Sequence, residues 1–549
     1  MPNSPTNPVN PIITKITVGT HSTHQAIIIP LITHAHMPKP AIKKLLIDKL
    51  GELSVSLDSN HDHIISELVN TLHKSPKATF SMFGSEEKIL RALYFTPIFI
   101  NSDINKTGNS FEIGRRIDVF RNAGAECAMT LNHNAIRNFN LKMLDYTESY
   151  AFLEGLLLAL YRFNKYKTTV EPDDSFTVAE IHLLLRPLAT QKEQADVMNH
   201  CNKLMVQTRA VYMARDLINE PANHRRVVDF IATIKSFIKT YDIPVNLRVI
   251  DTKELKRMGM NLMVSVGNAS IPENSSRLLI LETRGNSSEP VDYVLIGKGV
   301  MFDTGGLNIK VDDDELNQEK TDMAGAGIIA SFILGYAKLG GSKRIVGLLA
   351  LSQNDIGARG THSGDILKSY NGMTVEITNT DAEGRLLLAD CLAYADEKYK
   401  KAVVLDMATL TGDQAYMSCK VFSSVISRHP ALVARLVNAG NLIQERILES
   451  PYVEEFREYL NSSIADIKNI GDSSCRSDTI IAGVFLGQFI KPTTQWAHLD
   501  IAGISYGMNE RKAYYPAEGS AIGVRLLFEL IDNHTEPNSR KKTKKTTKQ

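Results

Sequence analysis

Strand-like and helix-like runs alternate along the second half of this chain, and that alternation limits the folds it can adopt. Most of the short apolar runs typical of buried strands are followed by a run with apolar residues at helical spacing. The strand-like runs are Val294–Gly297, Arg344–Leu351, Thr374–Ile377 and Val403–Met407, and the helical runs are Gly325–Leu339, Leu386–Tyr399 and Pro430–Leu448. Because parallel strands need a crossover between them, this order predicts an α/β fold with a mixed, mostly parallel central sheet flanked by helices.

The length of the chain predicts more than one domain. Its 549 residues are several times the commonest domain size of about 100 to 150 residues. Residues 12–187 combine short β-like runs, among them Ala26–Ile32, with helical patterns such as Glu148–Tyr166. We therefore predict two domains, an N-terminal α/β domain over residues 12–187 and a catalytic domain over residues 224–536.

The connection between the two predicted domains contains a long helical pattern, Gln191–Ile218, and we assign residues 188–223 to a linker helix. The two ends of the chain have no apolar periodicity. Residues 1–11 are rich in Pro and Asn, and residues 537–549 are rich in Lys. Both segments are expected to be disordered tails, and a basic block of this kind is more typical of a solvated segment than of a specific binding site.

The charge balance and the cysteine content exclude several classes of protein. The chain has 62 Lys and Arg against 61 Asp and Glu, so its formal net charge of +1 provides no long-range attraction for nucleic acid or anionic membranes. Its five cysteines form no C-x-x-C pair, which argues against a disulfide framework and a zinc ribbon. Because the N-terminus has no export signal and no apolar run reaches about 18 residues, we predict a cytoplasmic protein that binds neither membranes nor nucleic acid.

Seven charged residues follow the predicted strands, at the positions where a parallel sheet binds its ligands. They are Lys298, Asp303, Lys310, Asp322, Asp381, Glu383 and Arg385. Gly305 and Gly306 interrupt the loop after the first predicted strand and allow close backbone approach. Because the carboxyl ends of parallel strands meet at one edge of a sheet, we expect these four carboxylates and three cations to lie close together.

Carboxylate oxygens are the ligands that hard divalent cations prefer. Two such ions about 3.5 to 4 Å apart need bridging carboxylates to offset their mutual repulsion. Any one of these acids alone is more typical of a helix cap or a turn. Their occurrence on three successive segments favours a site for two metal ions.

The motifs around these residues resemble those of the leucyl aminopeptidase family of dinuclear metallopeptidases, also called cytosol aminopeptidases. The motifs GKGVMFDTGG, DMAGA, NTDAEGRL, VVLDMATLTG and WAHLDIAG occur in the family's order. The segment ARDLINEPAN, Ala214–Asn223, is similar to the family's linker element. The resemblance covers roughly residues 205–535 and is weak over the predicted N-terminal domain.

This resemblance implies an enzyme that hydrolyses the N-terminal peptide bond of peptides with a free α-amine, in intracellular peptide turnover. It implies one metal ion held by Asp303, Asp381 and Glu383. The second metal ion would be held by Lys298, Asp303, Asp322 and Glu383, so that two of the carboxylates bridge the pair. A lysine binds a metal only as the neutral amine, and the charge of two adjacent cations would drive the proton from Lys298.

The remaining catalytic roles follow from the same resemblance. It implies that Lys310 stabilises the tetrahedral oxyanion and that Arg385 holds a bicarbonate ion that shuttles a proton. The implied cofactors are two divalent ions per subunit, Zn or Mn, and bicarbonate. The implied partners are peptide substrates and further copies of the chain in a homohexamer.

Three features of the chain depart from the family's pattern. The connection from Lys310 to Asp322, VDDDELNQEKT, is acidic and one residue longer than usual, and a shifted loop there would misplace Asp322. Two positions that carry methionine in leucine-preferring members are Glu319 and Ser505 here, which predicts a broader or more polar residue preference. The segment Asn469–Thr479 lacks the family's run of Gly and Ala.

Two other functions would use a similar set of residues. The first is a catalytically impaired family member that acts as a binding or scaffold protein for nucleic acid or a protein partner. The second is two-metal phosphoryl transfer, but the chain has no G-x-x-x-x-G-K-[ST] motif, and a metal-binding lysine is atypical of such enzymes. The complete set of predicted ligands favours the peptidase.

Overall fold

A computed structural model describes residues 13–532 apart from residues 20–25, 35–37, 53–64, 67–68, 71–79, 87–88, 101–107, 144, 171–176, 284–289, 473 and 476. The two predicted tails, residues 1–11 and 537–549, lie outside the described residues. Among the helices in the described part of the chain, none is both long enough and apolar enough to cross a membrane.

The N-terminal part of the chain forms one six-stranded sheet. Its strands are β1 (Ile13–Gly19), β2 (Ala26–His34), β3 (Phe80–Glu86), β4 (Ile89–Ile100), β5 (Asn138–Lys142) and β6 (Val178–Leu184). Their order is β1-β6-β5-β2-β4-β3, and every neighbouring pair is parallel except β3 with β4. The helices beside this sheet are α1 (Lys39–Glu52), α2 (Ser110–His133) and α3 (Tyr146–Ala159). A separate buried cluster, which includes Phe139, Phe152 and Leu183, forms its core.

A second, eight-stranded sheet carries the predicted site. Its strands are β7 (Val245–Ile250), β8 (Arg277–Thr283), β9 (Tyr293–Asp303), β10 (Ile345–Asn354), β13 (Val403–Ala408), β14 (Ser423–Ile426), β15 (Ile447–Glu449) and β17 (Trp496–Asp500). They are arranged in the order β15-β14-β17-β13-β9-β10-β8-β7. The central strands β10, β9, β13 and β17 are parallel, and antiparallel pairs lie toward both edges. A small third sheet joins β11 (Ile366–Lys368), β12 (Thr374–Glu376) and β16 (Ile467–Lys468).

Helices cover both faces of the eight-stranded sheet. They are α4 (Gln191–Asn219), α5 (Val227–Thr240), α6 (Thr252–Met258), α7 (Asn261–Val266), α8 (Asp313–Gln318), α9 (Ala324–Lys338), α10 (Gly384–Lys398), α11 (Gly412–Ser418), α12 (Pro430–Ile443), α13 (Asp478–Gly487) and α14 (Val524–Asp532). Successive strand residues face opposite sides, so Leu295 of β9 joins one buried cluster with Ile329 of α9, and Ile296 joins another with Leu388 of α10. The predicted fold class, a mixed and mostly parallel sheet flanked by helices beside an N-terminal α/β unit, is confirmed.

Two helical patterns were predicted too long at their C-terminal ends. The pattern Pro430–Leu448 ends as a helix at Ile443, because Gln444 adopts a left-handed backbone with φ of 60° and β15 follows. The buried carboxylate of Glu445 accepts hydrogen bonds from the amides of Gly523 and Leu526, and these tertiary bonds end the helix where periodicity does not. The pattern Glu148–Tyr166 likewise leaves the helical conformation after Ala159.

A network of buried ion pairs joins the two parts of the chain, and we call it the seam network. Its members are Asp118, Arg121, Glu154, Glu445, Lys512 and Arg525. Glu154 accepts from Arg121 Nε at 2.7 Å and from Arg525 Nε at 2.6 Å, and Lys512 Nζ lies 2.8 Å from Asp118 Oδ2. Helices α2 and α3 are thereby fixed to the C-terminal half of the chain.

Candidate active site

The structure brings all seven predicted site residues to one edge of the eight-stranded sheet. Lys298 and Asp303 belong to the second half of β9, and Lys310 follows in the next loop. Asp322 ends a short 3-10 turn, Glu319–Thr321, directly before α9. The remaining three are Asp381 and Glu383, in the segment before α10, and Arg385, in its first turn.

Glycines make this close arrangement sterically possible. Gly305 and Gly306 have φ values of 83° and 65°, a left-handed conformation that other residues rarely adopt. A Cβ on Gly305 would lie 2.9 Å from Asp381 Oδ1, and a Cβ on Gly384 would lie 2.7 Å from Lys298 Nζ. The absence of side chains at these positions therefore leaves room for the charged groups of the site.

Five acidic side chains converge here, and we call them the carboxylate cluster. They are Asp303, Glu319, Asp322, Asp381 and Glu383. Their oxygen atoms form two groups, and within each group one oxygen from every residue lies within 4.8 Å of the others. The first group contains Asp303, Asp381 and Glu383, and the second contains Asp303, Glu319 and Asp322. Asp303 belongs to both groups, as a carboxylate that bridges two cations would.

Lys298 lies between the two groups of carboxylates. Its Nζ is 2.6 Å from Asp322 Oδ1 and 2.9 Å from Glu383 Oε1, and it donates to the carbonyl of Thr409 at 2.8 Å. Burial by itself lowers the pKa of this amine, but the charges of Asp322, Glu383 and Asp303 outweigh burial and raise its pKa above the ordinary value. Lys298 is therefore an ammonium ion as long as no other cation neutralises these carboxylates.

Lys310 is the second cation of the site. Its Nζ lies 2.9 Å from Asp381 Oδ1, 3.1 Å from Glu315 Oε1 and 3.4 Å from Asp303 Oδ2. The side chain is 9% exposed, and burial lowers its pKa, while Asp303, Glu319 and Asp381 raise it by more. The Lys310 ammonium group is thus a positive charge held beside the carboxylate cluster.

Neighbouring polar groups fix the orientation of the acids. Asp303 Oδ1 accepts hydrogen bonds from the amide of Gly305 at 2.9 Å and from Asn354 Nδ2 at 2.8 Å. Thr409 Oγ1 donates to Asp322 Oδ1 at 2.8 Å. Each of these two carboxylates accepts these hydrogen bonds through Oδ1, which leaves its Oδ2 for other partners.

The donor set fits divalent cations. Asp322 Oδ2 is buried and accepts no hydrogen bond from the described residues. Burial, together with the charges of Asp303 and Glu383, raises the pKa of Asp381 to about 7, and burial and Asp303 also raise the pKa of Glu383. When ionised, five carboxylates against two lysines leave an excess of negative charge, which hard cations with oxygen ligands would compensate.

Arg385 lies beside the cluster and is 2% exposed. Its Nη2 is 2.9 Å from both carboxylate oxygens of Asp478, the first residue of α13, and its Nη1 donates to the carbonyl of Asn469 at 3.0 Å. The family resemblance implied a bicarbonate ion at Arg385. In the structure a carboxylate of the chain itself lies on this guanidinium group.

The departures from the family's pattern have specific places in the structure. The acidic connection forms α8, capped by Asp312, whose side chain accepts from the amide of Glu315, and Asp322 still reaches the cluster. Glu319, predicted to line a side-chain pocket, has its carboxylate among those of Asp303 and Asp322. The buried hydroxyl of Ser505 donates to the carbonyl of Ala502 at 3.0 Å.

Sequence reasoning missed the roles of Glu319 and Asp478 at the site. Glu319 carried a usable signal, because residues three apart on a tight helical turn share a face and Asp322 is three residues later. For Asp478 the only signal in the sequence was a charged residue in a segment where the family has small residues. Its contact with Arg385 joins positions 93 residues apart and depends on the tertiary fold.

Comparison with known proteins points to the same family as the motifs around this site. Residues 212–528 match the model of the cytosol aminopeptidase family, catalytic domain. The chain is 31% identical to the cytosol aminopeptidase of Rickettsia prowazekii (strain Madrid E), over 88% of this chain and 95% of that protein. The chain belongs to the cytosol aminopeptidase family.

Other relatives agree with this membership. A probable cytosol aminopeptidase of Rickettsia peacockii (strain Rustic) is 34% identical over 69% of this chain and 74% of that protein. The solved structure of the bottromycin maturation enzyme BotP in complex with Mn superposes with a TM-score of 0.74 over 93% of this chain and 99% of that one, at 23% identity, which shows a shared fold. Family membership supports a metal-dependent hydrolase of the aminopeptidase type and does not favour the scaffold alternative.

Proposed function

We propose that this protein removes the N-terminal residue from peptides with a free α-amine, with two divalent metal ions, in peptide turnover in the cytoplasm. The observation that carries the proposal is the pair of carboxylate groups that share Asp303. One group contains the three residues expected at the first metal ion, and the other contains two of the residues expected at the second. Two adjacent cation sites with a bridging carboxylate are typical of hydrolases that activate water.

The proposed ligands of the first ion are Asp303, Asp381 and Glu383. Those of the second are Lys298, Asp303, Asp322 and Glu383. When bound, two such ions acidify a water molecule and polarise the scissile carbonyl. Lys298 must lose its proton to serve as a ligand, and its two short contacts with Asp322 and Glu383 place its nitrogen where these acids converge.

The chain's own groups would orient the substrate around this centre. The free α-amine of the substrate would bind at the second ion, beside Asp322. An acetylated nitrogen has no free lone pair to offer at that position. The ammonium of Lys310, 2.9 Å from Asp381, is available to stabilise negative charge on the carbonyl oxygen in the transition state.

The test is hydrolysis of a panel of aminoacyl amides by the purified protein with added Mn or Zn. We expect activity on free amino termini and none on N-acetylated substrates. Asp381→Ala should abolish the activity, while Asp355→Ala, an acid outside the carboxylate cluster, serves as the control and should retain it. Equal activity on blocked and free substrates would contradict the proposal.

We also propose a broader or more polar preference for the first residue than leucine. The support is Glu319, whose carboxylate lies at the cluster with only 15% of the side chain exposed. Placing an apolar side chain against a buried carboxylate costs free energy, whereas a polar or basic side chain offers it a donor. In the amide panel, Glu319→Met should raise the kcat/KM ratio of leucine to lysine by about 10-fold or more. An unchanged ratio, or leucine as the clearly preferred residue in the unmodified protein, would contradict this preference.

We further propose a homohexamer that binds peptides and no nucleic acid, with Zn or Mn as the metal ions. The support is membership in the family. Light scattering at several protein concentrations should give six times the chain mass of 60.9 kDa, and a monomer would contradict the assembly. Metal analysis of the protein isolated from its own source would decide between the two ions.

A further inference from the structure

Asp478 contacts the guanidinium group of Arg385, where the family resemblance implied a bicarbonate ion. Both oxygens of this carboxylate are 2.9 Å from Arg385 Nη2. The side chain of Asp478 is 30% exposed, whereas that of Arg385 is 2% exposed. The carboxylate therefore has one face toward the buried cation and another toward solvent.

The other nitrogen atoms of Arg385 leave little for a second anion. Nη1 donates to the carbonyl of Asn469, and Nε is buried without an acceptor among the described residues. A planar anion binds a guanidinium group through two nitrogens of one edge, and each of the two available edges includes Nη2. Since Nη2 already contacts Asp478, a bicarbonate ion does not fit Arg385 unless Asp478 moves away.

Two neighbouring segments link Asp478 to the carboxylate cluster: the first turn of α10 and the loop that contains Thr409 and Thr411. Arg385 is two residues after Glu383 in the same helical turn. On the other side, Thr479 shares a 2.8 Å hydrogen bond with Thr411, in the loop whose Thr409 contacts Lys298 and Asp322. The amide of Asp478 also donates to Asp413 Oδ2 at 2.8 Å, which fixes the start of α13.

Under the proposed function, four of the five members of the carboxylate cluster bind metal ions. The fifth, Glu319, is paired with Lys310 at 3.6 Å. A carboxylate outside that ligand set and partly open to solvent is the type of group that serves as a general base. Asp478 is such a group, and it is held in place by a buried cation.

From this placement, which rests on the proposed function, we infer that Asp478 replaces an external anion at Arg385 and accepts the proton of the attacking water. The water oxygen forms a bond to the carbonyl carbon as one O–H bond breaks and its proton passes to Asp478. The electron pair of the carbonyl π bond moves to the carbonyl oxygen, and it re-forms the double bond as the leaving nitrogen departs. The C–N bond then breaks, and the nitrogen takes that proton with the electron pair of the broken bond. The products are a free amino acid and a shortened peptide with a new amino terminus.

The first test measures anion binding and needs no activity. Bicarbonate is titrated calorimetrically into the metal-loaded protein, its Asp478→Gly variant and the double variant Asp478→Gly/Arg385→Ala. We expect saturable binding only to Asp478→Gly, because that variant frees Nη2 while keeping the cation. Equal binding to the unmodified protein, or no binding to Asp478→Gly, would overturn the inference.

The second test measures kinetics with the same proteins. Asp478→Gly should lower kcat by about 100-fold, and bicarbonate should restore it at least tenfold, while the rate of the unmodified protein changes less than twofold. Asp413→Asn, which disturbs the start of α13 without uncovering Arg385, should gain nothing from bicarbonate. Full activity of Asp478→Gly without added anion, or equal restoration of Asp413→Asn, would overturn the inference.

A third variant covers a failure of Asp478→Gly to fold. Asp478→Asn keeps the size of the side chain but cannot accept the proton, so it should lose kcat with little change in KM and should not respond to bicarbonate. Unchanged kcat in Asp478→Asn would overturn the inference. If the unmodified protein cleaves no peptide at all, the proposed function fails, whereas the calorimetric result still decides whether Asp478 occupies the anion position.

Discussion

The seam network and the carboxylate cluster both bury several ionised side chains, but they differ in their balance of charge. In the seam network three acids, Asp118, Glu154 and Glu445, face three cations, Arg121, Lys512 and Arg525. In the carboxylate cluster five acids face two lysines. The chain thus supplies its own counter-charge where it joins its two parts and leaves negative charge in excess where we propose that metal ions bind.

The pKa directions follow the same difference. Burial would raise the pKa of Glu154, but Arg121 and Arg525 outweigh burial and lower it to about 2. At the cluster, burial and Asp303 act in the same direction and raise the pKa of Asp381 to about 7. Glu445 of the seam is an intermediate case, because burial raises its pKa although Arg525 opposes it. A buried acid is therefore stabilised as an anion only where the fold provides enough positive charge.

The largest expected effect is on activity, and it tests the cluster alone. Glu383→Gln removes one of the two carboxylates proposed to bridge both ions and should lower kcat/KM by roughly 1,000-fold. Metal analysis of the purified variant should show a loss of bound Mn. Glu154→Gln is the matched control in the seam network and should bind metal like the unmodified protein, provided that it is assayed below its unfolding temperature. Full metal binding by Glu383→Gln would contradict the proposed ligand set.

The next effect is on stability, and it tests the seam network. Glu154→Gln leaves the buried guanidinium groups of Arg121 and Arg525 without their shared carboxylate. Breaking a buried pair in this way typically costs about 3 to 5 kcal/mol. Urea unfolding followed by circular dichroism should show this loss. A loss below about 1 kcal/mol would mean that the seam network is not the charge-balanced structure described here.

A pH titration of stability tests the charge balance of the seam network. The pKa of Glu154 is about 2 in the folded chain, against an ordinary value of 4.5. Because the folded value is lower, the stabilisation is fully present above pH 4.5 and is lost as the pH falls toward 2. This one group should contribute about 3 kcal/mol of the acid-induced loss. The variant Glu154→Gln should lack that component, and identical acid unfolding curves for the two proteins would contradict it.

The smallest expected effect has the opposite sign. In protein stripped of metal ions, Glu383→Gln removes one of several buried carboxylates that repel each other and raise its pKa, so it should raise stability by less than Glu154→Gln lowers it. Thermal unfolding of the two stripped proteins side by side measures this difference. With Mn present the order should reverse, since only the unmodified protein gains stability from binding. A destabilised Glu383→Gln under both conditions would remove the contrast between the two regions.

Part of the site could be predicted from the sequence because its residues lie close to strand ends. Lys298 and Asp303 were predicted after the run Val294–Gly297, and the structure extends that strand to Asp303. The run Thr374–Ile377, which precedes Asp381 and Glu383, was expected in the central sheet but forms β12 of the three-stranded sheet. The fold class followed from the same alternation of strands and helices. Local spacing and sheet topology therefore account for Lys298 and Asp303, whereas the approach of Asp381 and Glu383 depends on how the two sheets pack.

The rest depends on contacts between distant segments, which no local pattern reports. The end of α12 at Ile443 is set by Glu445, whose partners lie about 80 residues later. The contact between Arg385 and Asp478 likewise depends on how α10 and α13 pack. The apolar periodicity continues past the end of such a helix, because it reflects which face is apolar and not which side chains form tertiary contacts.

A calorimetric titration of Mn into the metal-free protein would show directly how many metal ions the carboxylate cluster binds. The excess of buried carboxylates and the two groups that share Asp303 predict two bound ions per chain. Asp303→Asn, which removes the shared ligand, should weaken the binding of both ions. No saturable binding to the unmodified protein, or a single ion unaffected by Asp303→Asn, would contradict the account of this cluster as a dinuclear metal site.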